Sequence, residues 1–103
     1  MVEIKVCDIK MKNGNVKGLT VIWNNGQYVA ITGNKGFLGC GAFDLNVMEE
    51  FNFAVAIAKG TPEHPFKTPE DLLNANVASV TKKAIELGIF IGMKGKDALE
   101  KLV

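Results

Sequence analysis

The chain contains no arginine: all twelve of its basic residues are Lys, set against eleven acidic ones for a net charge of +1. The missing side chain is the one best shaped for a bidentate grip on phosphate or carboxylate, which argues against a nucleotide clamp. The balance holds in both halves, with six basic and five acidic residues up to Gly60 and six of each afterwards. A nucleic-acid or anionic-membrane footprint is therefore not expected. One His and two Cys at unrelated spacings leave a structural zinc site short of ligands unless carboxylates join it, so no metal and no cofactor is expected. Long apolar runs are missing too. The uncharged stretch 18–34 is broken by Asn24, Asn25, Gly26 and Gln27, short of the ~20 apolar residues of a membrane helix. With no signal-like N-terminus, Cys7 and Cys40 are expected in a reduced, cytoplasmic protein, a disulfide between them staying open.

At 103 residues the chain is one domain's worth, read as a single compact α+β unit over 1–103. Its 48% apolar content lies near the top of the globular range, and a homo-oligomer sharing a hydrophobic interface is expected.

The stretch GFLGCGAFD, residues 36–44, divides the chain. Before it the pattern is antiparallel sheet. Val2, Ile4 and Val6 alternate with Glu3, Lys5 and Cys7, the period of a strand with one covered face. Asn13-Gly14 and Asn25-Gly26 read as tight hairpin turns around a strand over 16–23, and a third strand spans 27–33. The turn 33–36 leads to strand four over 37–41, completing a four-stranded antiparallel meander.

After Asp44 the apolar residues Leu45, Val47, Met48 and Phe51 suit a short helix, and 53–58 has strand length and composition. Helix between strands implies a parallel crossover, which puts Cys40 at the carboxyl end of strand four, where α/β units tend to hold ligands. The segment 60–67 is a Pro-broken loop with room for a short extended piece at Phe66. Thr68, Pro69, Glu70 and Asp71 read as N-cap, first helical position and acids at the positive dipole end. A helix is expected over 77–87 with Val77, Val80, Ala84 and Leu87 inward, capped by Gly88. A short strand at 89–91 and a closing helix at 96–102 follow, and the C-terminal helices are expected to pack on the sheet.

The pieces NKGFLGCGAFD, KTPEDLLNA, SVTKKAIELGI and IGMKGKDALEKL, in order over 34–102, give a chain that resembles the YunC-like family of small bacterial and archaeal domains of unknown function. By that resemblance, relatives look similar at Gly36, Cys40, Gly41, Ala42, Asp44, Thr68, Gly92 and Gly95, and carry a basic residue, often Arg, where this chain has Lys67. The Pro-rich loop with His64 is not required by the family pattern. The resemblance brings no established activity with it.

Three functional readings follow from the residues. The leading one is a domain that binds a small, anionic molecule at the strand-helix joint, with Gly39, Gly41, Ala42, Asp44, Lys67 and Thr68 around Cys40 and free N–H groups at the helix starts. The second is a thiol-dependent enzyme with Cys40 as nucleophile in acyl or related group transfer, its thiol favoured as thiolate by a helix start and by Lys67, with His64 a weaker candidate base. Each residue also has a plain structural reading: Cys40 as tight core packing, Asp44 and Thr68 as caps, Lys67 and His64 as solvated loop residues. The third reading is a structural or partner-binding subunit of a homo-oligomer, with Trp23 marking a self-association surface. A KH-type GXXG loop at Gly92 to Gly95 is set aside because no strands remain after it.

Overall fold

The computed structural model describes all residues, 1–103, as an α+β fold. One six-stranded sheet runs β1 (Glu3–Met11), β2 (Gly14–Trp23), β3 (Gly26–Thr32), β4 (Gly36–Gly39), β5 (Ala54–Ala58) and β6 (Val77–Val80), in that spatial order. The first four form the antiparallel meander; β4 and β5 are parallel, with α1 (Leu45–Glu50) between them, and β6 returns antiparallel. Three more short helices are α2 (Pro69–Leu73), α3 (Lys82–Glu86) and α4 (Gly95–Glu100).

Cross-strand partners share a face. One face carries Val16, Val29, Ile31, Leu38, Ala54 and Ala56, and Leu72 of α2 with Ala98 and Leu99 of α4 close over it as the main core. The approach is close enough to exclude side chains. A Cβ on Gly95 would run into the Leu72 carbonyl oxygen, and one on Gly36 into that of Ala54, so backbone packs on backbone at both positions. On the opposite face α1 packs on β5, and Val55 and Ile57 are buried there.

Five expectations are corrected. The segment 77–80 is an edge strand, not the first turns of a helix. Val77 and Val80 have helical spacing with Ala84 and Leu87, but Thr81 caps α3 with its side chain, so the helix starts at Lys82, five residues later. Thr81 is fully buried, and its Oγ1 accepts from Val55 N at 3.0 Å and Ala84 N at 3.3 Å while donating to the Phe53 carbonyl at 2.7 Å. Residues 89–91 form no strand; the pairing lies just beyond, where Asn76 bridges Lys94 and Val77 exchanges backbone hydrogen bonds with Gly92 and Met93. Phe66 likewise stays in loop. The hairpin turns shift back by one residue, since Met11 pairs with Gly14 and Trp23 with Gly26. Only Asn25 of the second turn takes a positive φ, +76°, and neither Lys12 nor Asn13 does. Finally, the apolar face of β1 is not covered: Val2, Ile4 and Val6 all stand open to solvent.

Candidate functional site

The carboxyl ends of the parallel strands β4 and β5 open toward the loop 59–67, and three adjoining clefts surround that loop. The one that meets Cys40 has a volume of about 230 Å³ and is lined by Gln27, Cys40, Gly41, Ala42, Lys59, Gly60, Thr61, Pro65 and Phe66. A second, about 430 Å³, shares Lys59, Gly60, Thr61 and Phe66 and adds His64, Asn74, Asn76 and Lys94. The third, on the far side of His64 and Phe66, takes in Glu63, Lys67 and Asp71. The Gln27 side-chain amide donates to the Phe66 carbonyl at 3.1 Å and ties the loop to β3.

Parallel register explains why Lys59 is here. Gly39 is paired with Ile57, so two residues further along each strand Gly41 lies beside Lys59, whose aliphatic stem would be only 3.4 Å from a Cβ on Gly41. Lys94 reaches the same rim from the segment before α4, its Nζ donating to the Asn74 carbonyl at 3.4 Å. Neither of the two clefts that share Lys59 is lined by a carboxylate.

Of the residues named from sequence, the structure gathers Cys40, Gly41 and Ala42 into one cleft and leaves the others outside it. Cys40 is 9% exposed and belongs to the main core, and its thiol makes no hydrogen bond. Gly39 faces the opposite side, under the Phe37 and Phe43 rings. Asp44 is the N-cap of α1, accepting from Asn46 N at 2.9 Å and Val47 N at 3.4 Å. Thr68 and Asp71 close a reciprocal capping box on α2, with Asp71 also accepting from Lys67 N at 2.9 Å. That hydrogen bond from Lys67 is the main reason the Asp71 carboxyl stays below its ordinary value of 3.8; burial pushes the other way, and the hydrogen bonds from Thr68 add to the lowering. Both helix starts thus already carry a carboxylate of the chain's own, which disfavours a second anion at either. Lys67 lines the third cleft, and His64 the second and third but not the one that meets Cys40.

Gln27, Lys59 and Thr61 were not singled out from the sequence, and Lys94 entered only as a phosphate contact of the GXXG reading that was set aside. The signal for Lys59 was available, because residues just past the ends of two paired parallel strands are neighbours. No cluster of three or more His, Cys, Asp or Glu that would hold a metal ion comes together. Both cysteines are free, Cys7 exposed and Cys40 buried, and no helix is long and apolar enough to cross a membrane.

The joint, the loop and everything up to α4 fall within residues 39–102, and over that span the chain matches the family described as a domain of unknown function, DUF1805. The chain belongs to this family. It is 29% identical over 100 residues to the uncharacterized protein YunC of Bacillus subtilis (strain 168), an alignment covering 97% of this chain and 98% of that one. The crystal structure of a protein of unknown function from Thermoplasma acidophilum superposes with a TM-score of 0.88 at 20% sequence identity, over 99% of this chain and 95% of that one. That likeness shows the fold. The family match begins at Gly39, so it takes in the joint, the loop 59–67 and both helix caps, and leaves β1 to β3 outside.

Proposed function

We propose that this member of the DUF1805 family binds a small anionic molecule in the two clefts that share Lys59, Gly60 and Thr61. One observation carries the reading: Lys59 and Lys94, with the His64 imidazole between the same walls, converge on a concave, partly apolar rim that has no carboxylate to neutralise the two ammonium groups. Gly41 and Gly60 leave backbone accessible beside the cations, and Thr61 adds a hydroxyl. Binding requires nothing of the Cys40 thiol, which fits its place in the core; that is why we prefer it to thiol catalysis. The setting we propose is the cytoplasm, on the sequence grounds given above.

Titration of inorganic phosphate, and separately of acetate, into isotope-labelled protein followed by amide NMR shifts is the test. Saturable shifts are expected at Gly41, Lys59, Gly60 and Thr61, lost in Lys59→Ala and retained in Cys40→Ser. Weak shifts spread over all the lysines, unchanged in Lys59→Ala, would sink the proposal.

A further inference from the structure

On the sheet face opposite α2 and α4, α1 packs on β5 and the Phe37 and Phe43 rings cover Gly39 of β4; over β1 and β2 no helix lies on it. Register places Val6 and Leu19 in one row, Ile4, Val21 and Tyr28 in the next, and Val2 beside Trp23 at the end. Exposure there is high: Val2 69%, Ile4 63%, Val6 62% and Trp23 44%. These four alone expose on the order of 400 Å², as much as the largest apolar patch of an ordinary monomer, ~300–600 Å². With the half-buried Leu19, Val21 and Tyr28 between them, the face approaches the ~800 Å² that each partner contributes to a stable interface.

Its charge says what kind of partner fits. No charged side chain lies among these rows, and the first beyond them, Asp8 and Lys17, are cross-strand neighbours joined in an ion pair. A patch selected for an acidic or basic partner would carry the opposite sign. A two-fold interface instead brings the same patch against itself, where charge of either sign repels its own copy and a charge-free surface bordered by a neutralised pair does not. The aromatic members are held in place: Trp23 packs on Tyr28 with ring centroids 6.0 Å apart, and Tyr28 sits edge-on to Phe43 at 5.9 Å, so the surface is preformed.

We infer that the bare β1–β2 face is the contact of a two-fold homodimer, two copies stacking their sheets face to face about 10 Å apart as in a β-sandwich. Val2, Ile4, Val6 and Trp23 form the centre of the contact. The anion clefts lie outside it, so dimerisation and anion binding are separable.

Sedimentation equilibrium of the wild-type chain and of Ile4→Lys and Val6→Lys provides the test, with acrylamide quenching of Trp23 as the local readout. Both substituted positions are exposed in the single chain, so the variants are expected to keep its circular dichroism spectrum. The wild type is expected at roughly twice the 11.1 kDa chain mass with Trp23 shielded, and both variants at the chain mass with Trp23 quenched at least twofold more strongly. A wild-type monomer at about 100 μM overturns the inference, as does a dimer that survives both lysines. Wild-type monomer that floats with neutral phosphatidylcholine vesicles overturns it in favour of a lipid surface. Should a lysine variant lose its fold, Val6→Thr, which dilutes the apolar patch without adding charge, weakens a dimer made this way and leaves the mass unchanged if the contact lies elsewhere.

Discussion

The row of side chains that starts at Val6 on β1 continues through Leu19, Ala30 and Gly39 to Ile57 on β5, all on one face of one sheet. Val6 is open to solvent and Ile57 is buried, although both are β-branched and both stand on the same face of the sheet. The difference is connectivity. The parallel pairing of β4 with β5 obliges the chain to cross over, and the crossover, α1, lies on the sheet. A hairpin such as β1–β2 closes with two residues and brings no cover with it. The apolar pattern states that a face is to be buried. Whether the same chain supplies the cover depends on what lies between the strands.

Substitutions probe the two ends unequally. The largest effect is expected under the helices of the opposite face, in Gly95→Val, where the new side chain meets backbone with nothing flexible to yield; more than about 3 kcal/mol of stability should be lost, read from the urea midpoint. Thr81→Val keeps the shape and removes the oxygen that satisfies Val55 N, so a loss of about 2 kcal/mol is expected by the same measurement. If it costs nothing, the tie between α3 and β5 is not what fixes that edge.

Thr68→Ala breaks the capping box of α2 and should cost about 1 kcal/mol near neutral pH. The lowered pKa of Asp71 sets how this varies with acid. A carboxyl titrating lower in the folded chain than in the unfolded one stabilises fully above the unfolded value of 3.8, and that stabilisation disappears as pH falls through the lower folded value. Thermal melts in increasing acid should therefore show wild type and Asp71→Asn converging below that range; a constant gap would mean that the carboxylate's charge contributes nothing. The smallest effect belongs to the bare end. In the dissociated chain Val6→Thr should change stability by less than about 0.5 kcal/mol, because the side chain has little to lose there. A large change at low concentration would mean that β1 already has a covered face within one chain.

Particular residues show what could be read beforehand. The meander, the crossover, Asp44 as a cap and the start of α2 at Thr68-Pro69 were visible because each rests on local chemistry: alternation, turn residues, a side-chain oxygen reaching N–H groups two or three positions away. The strand β6 was missed because Val77, Val80, Ala84 and Leu87 satisfy helical spacing, while the edge of β5 that turns 77–80 into a strand lies some twenty residues away in sequence. At the site, Cys40, Gly41 and Ala42 were legible as a joint. The cation beside them was expected at Lys67, which lines another cleft, whereas the end of the parallel neighbour β5 brings Lys59.

By itself the sequence determined the α+β class, the four-stranded meander, the position of the strand-helix joint and the caps of α1 and α2, since all of these depend on residues within a few positions of one another. Only the tertiary structure decided which apolar face is covered, where the helix expected at 77–87 begins, and which lysines converge on the joint. Those outcomes depend on strand pairing across the sheet, and pairing is settled by how all the faces pack at once.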